Sequence, residues 1–374
     1  MIRSGRPARI DLIAGARPNF MKIAPIIRAI ERAAAGGKCV LDYRLVHTGQ
    51  HYDSSMSGSF FEQLSIPEPH VNLEAGSGSQ ATQTAAVMTR YEALLESDPA
   101  SLCLVVGDVN STMACSIAAR KLGVPVAHVE AGIRSGDWTM PEEINRVVTD
   151  SISNYFYTTS EYANENLRNA GVDSNRIVFV GNTMIDTLLA HQPSFRAPEF
   201  WGDSNLVAGN YLVTTLHRPA NVDQQDGLLR MLTAIAENAR GEPVVFPVHP
   251  RTAKSLADAS QLPSNIMMVT PQPYLEFNYL VKHARAVVTD SGGITEEATV
   301  MGVPCMTLRD STERPETISI GTNELLGTDP SAVGPALEIL YSGRWKSGQV
   351  PPLWDGRAGE RIVGHLQSLF ETPA

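Results

Sequence analysis

Short apolar runs alternate along the chain with longer stretches in which apolar residues recur at helical spacing. In the first half, the runs that predict strands are RIDLIAG, LDYRLVHTG, SLCLVVGDV, PVAHVEAG, NYFYTTS and RIVFVGN. Helical stretches such as NFMKIAPIIRAIERAAA and STMACSIAARKLG lie between them. Strands of about four to eight residues that alternate with helices are typical of βαβ units. We therefore predict a parallel sheet covered by helices.

The second half repeats this pattern. Its predicted strands are YLVTTLHR, PVVFPVHP, IMMVTPQ, AVVTDSG and PCMTLRD, with helices at GLLRMLTAIAENAR, YLEFNYLVKHA and ITEEATVMG. The stretch from Ala190 to Asn210 is rich in proline and glycine and is the predicted join. The predicted domains are residues 1–190 and 191–356, and a last helix in residues 357–374 could pack on either domain, including back on the first.

This order of elements predicts two doubly wound, Rossmann-like α/β domains that face a cleft. Sheets of this kind bind ligands outside the carboxyl ends of their strands. A cleft between two of them is a common place for a substrate. The polar residues that follow each predicted strand are therefore the candidates for function.

Composition narrows the class of protein. Of the 374 residues, 43% are hydrophobic and 19% are charged, an ordinary globular balance. A formal net charge of -10 argues against duplex nucleic acid as the main ligand. The four cysteines form no C-x-x-C pair, and no segment reaches the roughly 18 apolar residues of a membrane span. We expect a cytoplasmic protein that binds neither nucleic acid nor membrane.

Charged residues follow three predicted strands of the first domain. Arg17 and Lys22 flank a helix start after RIDLIAG, which suits either an anion site or ordinary surface charges. Asp108 follows LCLVVG and could serve chemistry or cap the next helix. Glu130 ends an apolar strand, so its carboxylate needs a partner or has a raised pKa.

The PEE sequence that follows predicts another helix start. Pro141 suits the first turn, and acidic residues there are favoured by the helix dipole, which explains Glu143 as an aid to helix initiation. The dipole does not explain why Glu142, Asp108 and Glu130 all fall at one edge of the same sheet. Several carboxylates at one edge suit general acid–base chemistry.

The second domain has candidate phosphate contacts. His217-Arg218 and His249-Arg251 each follow a predicted strand, where a histidine is either structural or a contact to phosphate or substrate. The sequence TDSGGITEEA predicts a strand, a glycine-rich turn and a helix start, which can cradle a phosphate with backbone N–H groups. Glu296 or Glu297 could then reach a ribose hydroxyl.

Six motifs in this order resemble the non-hydrolysing UDP-N-acetylglucosamine 2-epimerases. They are GARPNFMKIAPI, HTGQHYD, GDVNSTMA, HVEAGIRS with PEEINR, TLHRPANVD, and TDSGGITEEA with GVPCMTLRDSTERPE. The resemblance implies a fold of the glycosyltransferase-B type and inversion at C2 of a UDP-N-acetyl-hexosamine. It implies elimination of UDP and re-addition through a glycal intermediate, with no cofactor and no metal. Its members are usually homodimers, and homodimers are also the commonest oligomers in general.

The resemblance also assigns residues to roles. It implies the catalytic set Asp108, Glu130, Glu142 and His217. It implies the following substrate and UDP contacts: Arg17, Lys22, Arg146, His249, Phe277, Ser291, Gly292, Gly293 and Glu297. Among these, Phe277 matches the residue beside the uracil, Glu297 the ribose ligand and Ser291 to Gly293 the diphosphate cradle.

The chain departs from the family pattern in two places. Tyr52 replaces the arginine of a Gln-His-Arg motif, so we expect no activation by a second UDP-N-acetylglucosamine. The loop between Glu130 and Pro141 is short, and MPEEINR also resembles epimerases of UDP-2,3-diacetamido-glucuronic acid. The alternatives to the epimerase are a hydrolysing relative that releases free sugar and UDP, a glycosyltransferase, and an inactive nucleotide-sugar sensor.

Overall fold

The computed structural model describes residues 7–37, 39–49, 63–216, 225–248, 256 and 262–371. The chain forms two compact units: Met1–Ala190 with Pro352–Ala374, and His191–Pro351. Each unit contains one parallel sheet with helices, which confirms the predicted α/β class. No helix in the described ranges is long and apolar enough to cross a membrane.

The first unit has, among its described residues, seven parallel strands in the order β3-β2-β1-β4-β5-β6-β7. These strands are β1 (Ala8–Ala14), β2 (Leu41–His47), β3 (Val71–Asn72), β4 (Leu102–Val106), β5 (Val126–Val129), β6 (Tyr155–Thr158) and β7 (Ile177–Phe179). The helices that connect them are α1 (Arg17–Ala35), α2 (Gln80–Ser97), α3 (Asn110–Lys121), α4 (Pro141–Ile152), α5 (Glu161–Asn169) and α6 (Thr183–His191). The order of the strands reverses between β1 and β4, so the loops after these two strands part there and leave room for a ligand.

The second unit repeats this arrangement over its described residues. Its six parallel strands, in the order β10-β9-β8-β11-β12-β13, are β8 (Leu212–Thr215), β9 (Val244–Pro247), β10 (Ile266–Val269), β11 (Ala286–Thr289), β12 (Cys305–Thr307) and β13 (Asn323–Leu325). Its helices are α7 (Gln225–Asn238), α8 (Tyr274–His283), α9 (Gly292–Val300), α10 (Pro315–Ser319) and α11 (Val333–Tyr341). The order reverses between β8 and β11, so the loop that begins at Asp290 lies at the corresponding point.

The core of each sheet consists of the apolar runs that predicted its strands. All five residues of β4 are buried, as are all four of β5 and all four of β11. Strands buried on both faces are the expected consequence of helices on both sides of a parallel sheet. The sequence did not predict β3 and β13, because strands of two or three residues at a sheet edge, each with only one apolar residue, leave no apolar run.

The last helix, α12 (Ala358–Phe370), belongs to the first unit. The chain has already returned at Trp354, which is buried and whose indole N–H donates to the carbonyl oxygen of Thr159 at 2.9 Å. The carboxylate of Asp186 accepts hydrogen bonds from the first N–H groups of α12, those of Ala358 at 3.1 Å and Gly359 at 2.8 Å. The second unit therefore ends at Pro351, five residues before the boundary predicted at 356.

Candidate active site

The polar residues predicted for the first unit gather at the carboxyl ends of β4 and β5, beside the reversal of strand order. Asp108 follows β4, Glu130 follows β5, and α1 brings Lys22 to the same edge. These three residues are far apart in the sequence and meet because the strand ends of a parallel sheet share one edge. The site is therefore built from the ends of neighbouring strands.

Glu130 is a buried carboxylate with a cationic partner. Its Oε2 lies 2.7 Å from the ammonium of Lys22, and the two side chains are 3% and 12% exposed respectively. The backbone of Glu130 has a φ of +69°, a left-handed conformation that a residue other than glycine seldom adopts. Of the two expectations for Glu130, a partner or a raised pKa, the structure provides the partner. Strain of this kind is typical of functional sites.

Gly107 allows the Lys22–Glu130 pair to lie against the end of β4. It has a φ of +67°, and a Cβ there would lie 3.0 Å from Lys22 Nζ and 3.8 Å from Glu130 Oε2. A side chain at this position would therefore press on the ion pair. The glycine is required by both its backbone conformation and the close approach of charged groups.

Asn19 holds two of these loops together and was not among the predicted site residues. Its side-chain oxygen accepts from the N–H groups of Gly15 at 3.1 Å and Ala16 at 2.8 Å. Its amide nitrogen donates to the carbonyl oxygen of Val106 at 3.2 Å. The first turn of α1 is thereby fixed to the end of β4, which places Lys22 one turn further on.

Asp108 pairs with Arg146 and does not cap a helix. The N-cap of α3 is Val109, with no side-chain hydrogen bond, so the capping alternative for Asp108 is wrong. The Oδ2 of Asp108 lies 2.5 Å from an amino group of Arg146. The other amino group of Arg146 lies 3.1 Å from Glu143 Oε2, so Arg146 bridges two carboxylates.

Glu143 does more than help α4 to begin, which corrects the expectation from the sequence. It is 2% exposed, and its Oε2 accepts from the N–H of Ser135 at 2.8 Å and from that residue's hydroxyl at 2.9 Å. Its Oε1 accepts from the N–H of Gly136 at 3.2 Å. Glu143 thus holds the loop between β5 and α4. The spacing of 143, 146 and 150 along one helix face was a signal for this buried polar face.

The other acidic residue of the turn, Glu142, lies half-buried in the first turn of α4, which begins at Pro141 as predicted. Within the described part of the chain, its side chain makes no hydrogen bond or ion pair. The neighbouring Asn145 donates to the carbonyl oxygen of Asp108 at 2.8 Å. The same helix therefore fixes the backbone and the carboxylate of Asp108 while it presents Glu142.

The predicted phosphate cradle of the second unit is a helix start, as expected. Helix α9 begins at Gly292, with Ser291 as an N-cap that makes no side-chain cap bond. A Cβ on Gly293 would meet no atom within 4 Å, and one on Gly292 would lie 3.9 Å from a nitrogen of the Arg309 guanidinium. The first N–H groups of α9 and the helix dipole therefore favour an anion beside the strand end. Arg309 was not among the residues predicted from the sequence.

Glu297, one turn into α9, is buried beside a tyrosine. Its Oε1 accepts from the hydroxyl of Tyr274 at 2.9 Å. Burial raises the pKa of Glu297 to about 7; the hydrogen bond from Tyr274 opposes the shift and the charge of Glu296 adds to it. Glu296 itself pairs with Arg314, so of the two glutamates proposed for a ribose contact only Glu297 is without a cationic partner in the described chain.

The remaining predicted residues lie at other places in the two units or outside the described residues. Arg17 is exposed at the first residue of α1, and Phe277 lies half-buried on α8, packed against the core of the second unit. His217 and His249, with the arginines that follow them, lie outside the described residues, as does the segment that contains Tyr52.

Comparison with known proteins identifies relatives over nearly the whole chain. The family model for UDP-N-acetylglucosamine 2-epimerase matches residues 35–367. The UDP-N-acetylglucosamine 2-epimerase of Methanocaldococcus jannaschii is 40% identical over 367 residues, covering 95% of this chain and 98% of that protein. The UDP-2,3-diacetamido-2,3-dideoxy-D-glucuronate 2-epimerase of Pseudomonas aeruginosa is 37% identical over 365 residues, covering 96% of this chain and 100% of that protein.

A solved structure shares the fold. The crystal structure of the Methanocaldococcus jannaschii UDP-GlcNAc 2-epimerase in complex with UDP-GlcNAc and UDP has a TM-score of 0.84 and 39% sequence identity. The match covers 96% of this chain and 99% of that chain. Likeness over this length confirms the predicted pair of Rossmann-like units.

The Lys22–Glu130 pair predicts a measurable energetic coupling. Replacement Lys22→Met leaves the buried carboxylate without its ammonium and should lower the free energy of unfolding by about 3 kcal/mol. The double replacement Lys22→Met with Glu130→Gln should recover much of this loss, because the uncompensated charge is gone. Urea titration of the wild type, of the single variants Lys22→Met and Glu130→Gln, and of the double variant measures the coupling. The exposed pair Arg32–Glu360 serves as control: Arg32→Met should change stability by less than about 1 kcal/mol. Equal effects at both pairs would contradict a buried ion pair at Glu130.

Proposed function

The chain belongs to the UDP-N-acetylglucosamine 2-epimerase family, and we propose that it converts UDP-N-acetylglucosamine into UDP-N-acetylmannosamine by inversion at C2. One observation carries the proposal: two carboxylates, Asp108 and Glu130, each paired with a cation, lie at the neighbouring ends of β4 and β5, beside the point where the strand order reverses. A third, Glu142, opens the next helix. This is a set of proton carriers at the place where such sheets bind ligands.

The proposed reaction has two stages that balance. In the first, a carboxylate takes the proton from C2, the C1–O bond breaks, and UDP leaves with the electron pair of that bond. The sugar is then a 2-acetamidoglucal with a double bond between C1 and C2. In the second, a proton is delivered to C2 from the opposite face and an oxygen of the diphosphate attacks C1. The product differs from the substrate only in the configuration at C2.

Inversion requires proton transfer at both faces of the sugar ring, and one fixed carboxylate can serve only one face. We assign the two transfers at C2 to the set Asp108, Glu130 and Glu142. Their different surroundings support unlike roles: Glu130 is paired with Lys22 and Asp108 with Arg146, whereas Glu142 is the carboxylate without such a partner in the described chain. Groups whose environments differ in this way can act as acid and base in one site.

We assign UDP to the second unit. The N–H groups of Gly292 and Gly293 at the start of α9, next to the N-cap Ser291, suit the diphosphate. The guanidinium of Arg309, which is paired with Glu313, lies nearby. Stabilising a departing diphosphate in this way lowers the barrier to breaking the C1–O bond. Glu297 is assigned to the ribose and Phe277 to the uracil. The further assignments Arg17, Arg146, His217 and His249 follow from the family motif.

A second substrate is supported by one relative. The Pseudomonas aeruginosa epimerase acts, by its name, on UDP-2,3-diacetamido-2,3-dideoxy-D-glucuronate and matches 96% of this chain. The same carboxylates would invert C2 of that sugar. We assign the choice between the two sugars to the loop between β5 and α4, in which Trp138 is 64% exposed.

We also propose that the protein is a homodimer. A groove of about 480 Å³ runs between the first turns of α2, α3 and α4, and its lining is mostly apolar, with Ala85, Met88, Met113 and Ile144. Ile144 is 45% exposed. A second copy seated on this groove would remove that apolar surface from water.

The four free cysteines support a cytoplasmic location, where thiols remain reduced.

Incubation with substrate in D2O tests the reaction. The wild-type protein should place deuterium at C2 of UDP-N-acetylmannosamine, and Glu130→Gln should lower the rate of labelling at least about 100-fold, as expected for a lost acid–base group. Binding of UDP to the variant should be unchanged, because Glu130 is assigned to proton transfer at C2 and is not among the assigned UDP contacts. A panel with the diacetamido-glucuronate substrate identifies the preferred sugar. Label-free product, or quantitative release of free N-acetylmannosamine, would reject the proposal.

The raised pKa of Glu297 predicts pH-dependent binding of UDP. A ribose hydroxyl donates best to the carboxylate, so binding should release a proton below pH 7 and UDP affinity should rise as pH increases through about 7. Calorimetric titration between pH 5.5 and 8.5, roughly bracketing that value, measures the trend. UDP itself loses a phosphate proton at about pH 6. The variant Glu297→Gln, titrated with the same ligand, shows the pH dependence that comes from UDP alone. An identical pH profile for both proteins would argue against Glu297.

The dimer proposal has a matched pair of variants. Ile144→Glu places a charge in the groove and should convert the dimer to a monomer in sedimentation equilibrium at micromolar concentration. Ile339→Glu alters an apolar residue of similar exposure, 42%, on α11 of the second unit and should leave the mass unchanged. A monomeric wild type, or a dimer that survives Ile144→Glu, would contradict the groove as the interface.

A further inference from the structure

His128 is a fully buried polar side chain in β5, a strand whose other residues are apolar. Its Nδ1 lies 2.7 Å from Asp150 Oδ1, and its Nε2 lies 2.8 Å from the carbonyl oxygen of Gly107. Both partners are hydrogen-bond acceptors, so each ring nitrogen is placed to donate a hydrogen bond. A buried polar pair is costly, and an apolar side chain of similar size would fill the same space at lower cost.

The Asp150 end of this pair reaches the loop after β5. Asp150 is 4% exposed, and burial opposes its ionisation, but His128 and Arg134 hold its pKa below the ordinary value. Its Oδ2 accepts from the N–H of Gly132 at 3.1 Å and lies 2.6 Å from the guanidinium of Arg134. Gly132 follows Glu130 by two residues, so Asp150 fixes the loop that carries that carboxylate.

The other end of the pair reaches the loop after β4. The N–H of Gly107 donates to the carbonyl oxygen of Val129 at 3.0 Å, and its carbonyl oxygen accepts from His128. Both backbone polar groups of Gly107, the residue immediately before Asp108, are thus hydrogen-bonded to β5. Since Gly107 also lies against the Lys22–Glu130 pair, a shift of this one residue would displace Asp108, which follows it, relative to that pair.

We propose that His128 is a positioning residue for the epimerisation. Its hydrogen bond to the Gly107 carbonyl oxygen, made by a ring that Asp150 orients, sets the distance between the carboxylates of Asp108 and Glu130. The inference rests on the proposed function. Proton transfer at C2 needs each carboxylate within hydrogen-bond reach of one carbon, and misplacement by about 1 Å costs on the order of 100-fold in rate. His128 touches neither substrate nor the reacting atoms, so its effect should appear in kcat and not in UDP binding.

Three variants separate the two contacts. His128→Gln places an amide N–H near the position of Nε2 and keeps the donor to Gly107. Asp150→Asn keeps this contact too, because its amide can donate to the Nδ1 of a neutral His128 while its oxygen still accepts from Gly132. His128→Asn places its N–H near Nδ1 and keeps only the contact to Asp150. We expect C2 deuteration to fall about 100-fold in His128→Asn and at most about tenfold in the other two.

UDP affinity and thermal stability are measured beside kcat in all three variants. A matched control is Tyr91→Phe, which removes a buried hydrogen bond of 2.9 Å to Asp11 in the same unit, away from the strand ends. It should lower the unfolding midpoint and leave C2 deuteration unchanged.

Two results would overturn the inference. One is an equal loss of rate in all three variants, or a loss of rate that parallels the loss of thermal stability across the three variants and Tyr91→Phe. The other is a His128→Asn that exchanges at the wild-type rate. The failure of the proposed function is distinct: in that case the wild-type protein itself would place no deuterium at C2 of any UDP-sugar tested.

Discussion

The first unit is organised by one constraint: a carboxylate taken out of water must have a charged or hydrogen-bonding partner. Glu130 meets this requirement through Lys22, and Asp108 meets it through Arg146. Each cation needs its own support, which comes from Asn19 beneath the first turn of α1 and from Glu143 on α4. The buried polar face of α4 thus exists because two carboxylates were placed at the ends of apolar strands.

The second unit differs from the first, because it presents backbone N–H donors at a helix start, where they can bind an anion. A helix start with two glycines keeps backbone N–H groups accessible, and the dipole of α9 supplies charge without a mobile side chain. Glu297 lies one turn behind, where burial keeps its proton at a pH at which exposed glutamates have lost theirs. In the proposed reaction the two units have different tasks: the first holds the paired carboxylates that transfer protons, and the second presents N–H donors to the diphosphate.

The sequence predicted the elements of this fold well, because strands buried on both faces leave apolar runs that glycine and polar residues interrupt. It also placed Asp108, Glu130 and Glu142 at strand and helix ends, where their side chains are found. It could not predict the pairing, since Lys22 and Glu130 are 108 positions apart and only the strand order brings them together. It misjudged Glu143 for a related reason: an acidic residue in a first turn looks satisfied by the helix dipole, and its contacts to Ser135 and Gly136 depend on how the loop folds back.

The return of the chain to the first unit has a consequence for biosynthesis. Helix α12 packs its Gly359 against Pro25 in α1, and a Cβ there would lie 2.7 Å from the carbonyl oxygen of Pro25. Helix α1 is synthesised well before α12 and therefore lacks this packing partner until α12 has been made. At about 5–20 residues per second, the roughly 180 residues between α6 and the end of α12 take on the order of 10 to 40 s, during which part of the apolar surface of the first unit is uncovered. The second unit can complete its sheet in that interval, before the first unit can complete its own packing.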